Sequence, residues 1–260
     1  AQGTWVCVMD GDLQHPPEEI EKLLAKLPTA GTCLITLEGS GGYERLVVAE
    51  LLDAGHRVAM ANPRQVRDFA KGLGILAKTD PIDAKVLAKF GQLVGPRCLE
   101  KPAGSLSELQ QLVERRRQIV DLSTAETNRL HQASSKLTKR SIESVLKILA
   151  KQVKALESEI SKLVDKHPDW QQKAKILTSV PGVGEITAMS LLADLPELGQ
   201  INRQQIAALA GLAPYNHDSG ILKGKRAIWG GRASVRTSLY MASLTAIRFN
   251  STLKAFYERL

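Results

Sequence analysis

Residues 32–63 read TCLITLEGSGGYERLVVAELLDAGHRVAMANP, and this stretch decides the fold of the first part of the chain. An apolar run at residues 32–38 ends in the carboxylate of Glu38 and is followed by a glycine-rich turn. Apolar residues then recur at helical spacing, stop at Gly55, and lead into a second apolar run at residues 56–63. This alternation of strand, helix and strand predicts an α/β unit with a largely parallel sheet, whose functional side chains collect at the strand ends.

The middle of the chain has a different pattern, because strand signals disappear from about residue 105. Apolar residues recur there at alternating steps of three and four, the spacing of a coiled-coil seam, at Leu146, Leu149, Val153, Leu156, Ile160 and Leu163. The spacing predicts a coiled-coil-like helical arm over residues 105–170. A long antiparallel helical hairpin, an arm that forms a dimer and a helix packed on its own domain all remain open.

Charge and composition indicate a polyanionic partner. The net charge of +8 and the pI near 9.4 suit nucleic acid or an acidic membrane surface. Aromatic residues make up only 4% of the chain, which argues against base-stacking platforms and favours contacts to phosphates. No apolar run approaches the roughly 20 residues that span a bilayer, and nothing is typical of a signal peptide, so a cytoplasmic protein without a membrane segment is expected.

Residues 171–260 predict a helical domain with loops. The sequence Pro181, Gly182, Val183, Gly184 stands between two apolar helical segments, as in a helix-hairpin-helix turn. Glycines in such a turn let backbone N–H groups at a helix start approach a phosphate, so Gly182 and Gly184 are candidates for DNA contacts. A tight turn between packed helices would use the same residues.

Within this domain, residues 211–232 read GLAPYNHDSGILKGKRAIWGGR and place one serine, Ser219, among turn residues. Glycine and proline at this density hold the backbone in a defined loop. From Ser219 to Phe256 the sequence has no Asp or Glu, so the loop is expected to face a polyanion. The candidate contacts to this polyanion are Lys223, Lys225, Arg226, Arg232 and Arg236, and the family resemblance described below implies that the polyanion is DNA. A serine before a glycine also suits an ordinary turn.

A second group of candidates lies in residues 76–90, LAKTDPIDAKVLAKF. Asp80 suits a helix N-cap and Pro81 the first helical position, with Asp83 three residues after Asp80 on the same face. Helix capping alone would explain both aspartates. Together with Glu38 they also offer the hard oxygen ligands that Mg²⁺ takes in combination with substrate phosphate.

These residues carry a resemblance to a known family. Residues 36–90, TLEGSGGYERLVVAELLDAGHRVAMANPRQVRDFAKGLGILAKTDPIDAKVLAKF, resemble the N-terminal DEDD domain of the insertion-sequence transposases of family one-ten. Residues 177–250, which begin LTSVPGVGEITAMSLLADL, resemble the C-terminal transposase domain of the same family. The resemblance covers about residues 30–260, and both sets of motifs appear in the family's order.

The resemblance implies a fold class of α/β plus all-α. Residues 31–104 would form a ribonuclease H-like (RuvC-like) domain, residues 105–170 the helical coiled-coil arm, and residues 171–260 a helical transposase domain with a helix-hairpin-helix-like turn.

The resemblance also implies a chemistry and partners. Glu38, Asp80 and Asp83 would be the second, third and fourth members of an acidic tetrad that binds Mg²⁺. Ser219 would be the nucleophile that attacks a DNA phosphodiester and forms a covalent phosphoserine link. The implied function is a DNA transposase or recombinase that cuts and rejoins DNA. A structured guide RNA and further copies of the chain, as a homo-oligomer, are the implied partners.

Both ends of the chain differ from the family's pattern. The first member of the tetrad normally ends an initial strand, and here Asp10 or Asp12, after the apolar residues 4–9, would take its place at the metal. The opening TWVCVMDGDLQHPPEEI is similar to the metal-binding segment of family-two glycosyltransferases, so residues 1–30 are expected to be an atypical, foreign segment. The chain stops at Leu260 inside an apparent helix, so a truncated C-terminal domain is expected.

Two alternatives to an active recombinase remain. One is a non-catalytic nucleic-acid-binding remnant that keeps the basic surface. The other is a glycosyltransferase fragment, for which no acceptor site or remaining domain follows in the sequence. Because both ends depart from the family's pattern, this copy is expected to bind nucleic acid but to recombine poorly or not at all.

Overall fold

In a computed structural model of the chain, the structure describes residues 33–39, 42, 44–101, 104–220 and 223–259, together with Ala25 and Leu27. The chain divides into two compact units, residues 1–102 and 103–260. Helix dominates over strand in the described ranges, as expected for an α/β part followed by a helical part. None of the helices in these ranges is both long and apolar enough to cross a membrane. Asp10 and Asp12, one of which was expected at the metal, lie outside the described residues.

The first unit contains a parallel strand–helix–strand unit followed by two helices. Its elements are β1 (Leu34–Glu38), α1 (Arg45–Asp53), β2 (Arg57–Ala61), α2 (Pro63–Gly72) and α3 (Asp80–Val94). β1 and β2 pair in parallel, with Leu34 opposite Arg57 and Glu38 opposite Ala61. The predicted parallel pairing and the position of Glu38 at the end of its strand are therefore confirmed.

Helices cover both faces of this strand pair. On one face, Ile35, Leu37 and Val58 pack against Val47 and Leu51 of α1. On the other face, α2 and α3 form a second buried cluster with the end of β2, made of Ala61, Val66, Ala70, Val86, Leu87 and Phe90. Cover on both faces explains why the two strands read as continuous apolar runs rather than as alternating ones.

The start of α3 differs by one residue from the prediction. Thr79 is the N-cap, because its backbone is extended and its carbonyl accepts hydrogen bonds from the N–H groups of Ile82 and Asp83. The prediction that Asp80 is the N-cap is wrong, since Asp80 is the first helical residue. Pro81 still lies in the first turn, where a missing N–H costs no hydrogen bond. Both aspartates stay near the positive end of the helix dipole.

The second unit begins with a long antiparallel helical hairpin, called the arm below. It consists of α4 (Gly104–Gln132) and α5 (Lys136–Asp165). The base of the arm is well packed, through Leu109, Val113, Ile160, Leu163 and Val164. Farther out, Leu146, Leu149 and Val153 of the predicted seam are only half-buried. A helical hairpin was one of the three arrangements that the sequence left open.

After the arm, the second unit continues with further helices. They are α6 (Pro168–Thr178), α7 (Glu185–Asp194), α8 (Arg203–Leu209), α9 (Ala233–Phe249) and α10 (Ser251–Tyr257). Leu192 of α7 belongs to the cluster at the base of the arm. The preceding residue, Leu191, packs with Ala210 and Val235 in a separate cluster. α7 therefore joins the arm to the C-terminal helices.

A small β-hairpin interrupts the C-terminal helices, which the sequence analysis did not predict. β3 (Pro214–Tyr215) pairs antiparallel with β4 (Ala227–Ile228). Each strand has two residues, all of them exposed, so neither strand leaves an alternating apolar pattern in the sequence.

Gly91 of α3 should be required for the stability of the first unit. A Cβ at this position would lie 2.2 Å from Oγ1 of Thr36, which is fully buried in β1. In Gly91→Ala, the roughly 1–3 kcal/mol cost of overpacking should exceed the helix-propensity gain of about 1 kcal/mol. Urea unfolding should therefore show a lower free energy of unfolding, partly restored by adding Thr36→Ala, which removes the clashing oxygen.

Gly72→Ala is the matched control for this experiment. Gly72 is also helical, but a Cβ there meets nothing within 4 Å, so this variant should be as stable as the parent or more so. A Gly91→Ala chain that gained stability as Gly72→Ala does would contradict the close contact between α3 and β1.

Candidate functional site

Ser219 lies in the loop that joins β3 to β4. The stem of this hairpin is formed by the pairs Pro214–Ile228 and Tyr215–Ala227. Ser219 is exposed, and the next residue, Gly220, has a φ of +58°, a left-handed conformation that strains any L side chain. The chain therefore turns immediately after the serine and leaves it at the surface.

The side chain of Asp218 forms a hydrogen bond across this loop, called the brace below. Its Oδ1 accepts a hydrogen bond of 3.1 Å from the backbone N–H of Gly224. Beside this bond, a Cβ on Gly224 would lie 2.1 Å from the carbonyl oxygen of His217, so glycine is needed for the backbone to come this close. The two contacts join the residues before and after the tip that carries Ser219. Sequence reasoning missed the brace, because its two partners are six residues apart, beyond the two-residue span of a turn stabilised by an Asp side chain.

Two glycines hold the base of the hairpin together. A Cβ on Gly231 would lie 2.1 Å from the backbone nitrogen of Gly211, and one on Gly211 would lie 2.2 Å from the carbonyl oxygen of Gly230. Next to this contact, the N–H of Arg232 donates a 2.7 Å hydrogen bond to the carbonyl of Leu209. The hairpin is thus fixed by backbone groups at the points where it leaves and rejoins the helices.

Arg232 and Arg236 have protein partners at this base, which revises their expected role. The Arg232 guanidinium donates to both carboxylate oxygens of Glu197, at 2.7 and 2.6 Å, and to the carbonyl of Asp194 at 2.9 Å. The hydrogen bonds that Arg232 donates to Glu197 raise the pKa of this guanidinium above its usual value. Arg236 donates to the carbonyls of Ala210 and Gly230. Both arginines therefore support the base of the hairpin, and their expected contacts to DNA stay a prediction.

The other expected cations remain available at the loop. Lys223, Lys225 and Arg226 are exposed, and within the described ranges none of them forms an ion pair. They follow Ser219 closely in the sequence and belong to the same braced loop. Of the five cations proposed from the sequence, these three have exposed side chains in the loop that carries Ser219.

One side of the Pro181–Gly184 turn packs against α9. A Cβ on Gly182 would lie 2.7 Å from Cβ of Ala246 and 2.8 Å from the carbonyl oxygen of Ala242, both in α9. Gly184 is exposed and caps α7, but the first residue of that helix is the acidic Glu185. The close contact with α9 explains why residue 182 is a glycine. The negative charge of Glu185, next to Gly184 at the start of the helix, disfavours the binding of phosphate.

The structure does not bring Glu38, Asp80 and Asp83 together as metal ligands. All three are described, and the described ranges contain no group of three or more His, Cys, Asp or Glu side chains that could hold a metal ion. α3 contacts β1 through Gly91, about two helical turns after Asp83, so this contact does not carry the aspartates to Glu38. Carboxylate oxygens suit Mg²⁺ chemically, but their placement does not form a finished site.

Two family models match the chain. A model of DEDD transposases of the IS110 type, described as "Transposase", matches residues 4–137. A second model, described as "Transposase IS116/IS110/IS902 family", matches residues 174–258. The first match begins at residue 4 and so includes most of the N-terminal segment that was expected to be foreign.

Curated relatives extend over most of the chain. The pilin gene-inverting protein of Moraxella bovis is 26% identical over 252 residues, which cover 94% of this chain and 77% of the relative. The protein of the same name from Moraxella lacunata is 27% identical and covers 82% of this chain and 67% of the relative. A transposase for insertion sequence element IS1111A from Coxiella burnetii is 23% identical and covers 86% and 71%. Because the first family model alone spans more than half of the sequence, the chain belongs to the IS116/IS110/IS902 family of transposases.

Proposed function

We propose that the chain cuts and rejoins DNA through the hydroxyl of Ser219. The observation that carries this proposal is the braced hairpin loop, which exposes one serine beside Lys223, Lys225 and Arg226. An ordinary turn serine would need neither the brace nor the cluster of cations. Relatives named as a gene-inverting protein and as a transposase support the same class of reaction.

The chemistry is an exchange of one phosphoester for another. Oγ of Ser219 attacks a DNA phosphorus, the Oγ–P bond forms, and the bond from phosphorus to one ester oxygen of the strand breaks. The proton from Oγ passes to His217 or to water, and the departing oxygen takes up one proton, so no co-reactant is consumed. Attack by a hydroxyl of another strand reverses these steps and frees the serine. Lys223, Lys225 and Arg226 stabilise the charge that develops on the phosphoryl oxygens.

The rigidity of the loop matters for this reaction. A nucleophile must be held close to its target and in line with the bond that breaks, and a misplacement of about 1 Å can cost about 100-fold in rate. The hydrogen bond from Gly224 to Asp218 and the glycine contact at the base supply this positioning. Asp218 therefore acts as a positioning residue, with one carboxylate oxygen committed to the backbone.

The proposal also covers the fold of the first unit and the partners. We assign a ribonuclease H-like fold to this unit, supported by the parallel strand pair with helices on both faces and a carboxylate at the strand exit. The family resemblance adds a structured guide RNA and further copies of the chain as partners. Experiments on activity should therefore supply element-end DNA, Mg²⁺ and RNA transcribed from the element.

Glu38, Asp80 and Asp83 are proposed as ligands of a divalent metal that DNA helps to bind. Mg²⁺ usually keeps several waters and is held by one or two carboxylates plus substrate phosphates, rather than by a cage of protein groups. Carboxylates that are not gathered in the chain alone are compatible with such a site. The serine reaction described above does not use this metal.

Ser219→Ala should abolish covalent chemistry and leave binding intact. The change removes one exposed hydroxyl, so the free energy of unfolding should shift by no more than about 0.5 kcal/mol. With DNA, RNA and Mg²⁺ present, the parent should give a protein–DNA adduct on a denaturing gel, and Ser219→Ala should give none. Ser134→Ala, an exposed serine in the arm, is the control and should form the adduct normally.

Two results would change this assignment. An adduct formed by Ser219→Ala would mean that another group attacks the phosphorus. A parent chain that binds DNA and forms no adduct would favour the non-catalytic alternative.

Asp218→Ala should slow adduct formation, because the N–H of Gly224 loses its partner and the loop loosens. A loss of roughly ten- to 100-fold in rate is expected. Asp218→Asn keeps an oxygen that accepts the same hydrogen bond, so it should retain most of the parental rate. If Asn were as damaging as Ala, the carboxylate would act by its charge or as a base, and the positioning role would be wrong.

The metal proposal is checked by local cleavage of the polypeptide. Fe²⁺ in place of Mg²⁺, with ascorbate and peroxide, should cut the DNA-bound chain near residue 38 and near residues 80–83. Asp80→Asn with Asp83→Asn should remove both cuts, whereas Glu50→Gln with Asp68→Asn, two exposed acids of the same unit, should leave them. If the cuts persist in the variant with Asp80→Asn and Asp83→Asn, these aspartates stabilise the start of the helix and do not bind the metal.

A further inference from the structure

The outer half of α5 carries a row of cations that the serine chemistry does not use. Residues 136–154 contain one acid, Glu143, and a set of lysines and arginines, all of them exposed, called the basic stripe: Lys136, Lys139, Arg140, Lys147, Lys151 and Lys154. At about 100° per residue, the six cations fall within an arc of about 120° on one face of the helix. From Lys136 to Lys154 the stripe is about 27 Å long.

The stripe differs from the charged surface at the base of the same arm. There, cations are matched by acids: Arg116 pairs with Glu157, and Lys162 pairs with Glu159. Arg117 likewise contacts Glu114 and Asp194. Within the described ranges, no cation of the stripe forms an ion pair. An ordinary solvated face would mix both signs of charge, so the segregation at the outer arm indicates an external polyanion.

The residues around the stripe argue against three kinds of partner: a lipid surface, a second copy of the chain and unpaired bases. Ile142, Leu146 and Leu149 of α5 are buried or half-buried, so they are not free to enter a lipid surface. Leu137, Val145 and Ile148 are exposed, but three apolar side chains spread over about three turns do not form the continuous apolar face with which an amphipathic helix enters a membrane. A second copy of the chain would bring six cations against six and repel. No aromatic residue lies between residues 136 and 154, so stacking on unpaired bases has no platform.

We propose that the basic stripe binds the sugar-phosphate backbone of duplex DNA, as a second surface separate from the Ser219 loop. A straight row of cations suits the regular charge of a duplex, and its length corresponds to about eight base pairs. A groove of about 460 Å³ between α4 and α5 borders the stripe at Lys154 and is lined partly by Ser123 and Asn128. Hydroxyl and amide groups of this kind commonly contact phosphates without reading sequence.

This surface does not depend on the serine mechanism, because it concerns only binding. It would hold DNA outside the segment that reacts, independently of the base sequence. A chain without any nuclease or ligase activity would bind duplex DNA by the stripe in the same way.

The test is the salt dependence of binding to a 30-base-pair DNA duplex, measured by fluorescence anisotropy on the full chain. Replacing Arg140, Lys147 and Lys151 by glutamine should remove three phosphate contacts and flatten the logarithmic salt slope by about 2.7. Affinity at physiological salt should fall by at least about tenfold. Replacing Lys162, Lys166 and Lys175 by glutamine makes the same change in charge outside the stripe and should leave the slope nearly unchanged.

Glu143→Gln provides a change in the opposite direction. It removes the one acid of the stripe, so it should tighten binding by about two- to fivefold, while folding of this exposed position stays unchanged. Equal losses in the stripe and control variants would overturn the proposal, as would an unchanged slope in the stripe variant. The proposal would also be overturned if the stripe variant lost its binding to anionic vesicles or to an RNA duplex but kept its binding to DNA.

Discussion

The contact between Gly211 and Gly231 is the constraint on which the presentation of Ser219 depends. Two backbones meet there at a distance that excludes any side chain on either residue. The hydrogen bond from Arg232 to Leu209 continues the same contact. A hairpin with strands of two residues cannot hold its own geometry, so its order comes from this base and not from its ladder. The position of the exposed serine thus rests on two residues that have no side chain.

The end of α7 connects this base to the arm. Asp194 accepts a hydrogen bond from Arg117 of α4 on its carboxylate and one from Arg232 on its carbonyl. Leu191 and Leu192 are adjacent in the sequence but pack into different clusters. Substitutions in the arm base and in the hairpin base should therefore be coupled rather than additive, because they act on the same short segment.

Local patterns in the sequence were sufficient to predict some features and not others. The strand that ends at Glu38 and the exposed loop around Ser219 follow from apolar runs and turn residues, which are local signals. The role of Arg232 could not be predicted, because its partner Glu197 is 35 positions away, and a paired arginine looks like a free one in a sequence. The error of one residue at Asp80 has a similar origin, since threonine and aspartate both cap helices and only the backbone decides between them.

The residues that anchor the hairpin differ from the side chains that it exposes. Its fixed points are glycines, backbone carbonyls and the side chains of Asp218 and Arg232, whereas Ser219, Lys223, Lys225 and Arg226 are exposed. Substitutions at these exposed positions should therefore cost little in folding, whereas substitutions at the fixed points should destabilise the hairpin. For an engineer, the same division marks the exposed side chains as the positions to vary in order to change how the loop meets a ligand, and the fixed points as the positions to keep.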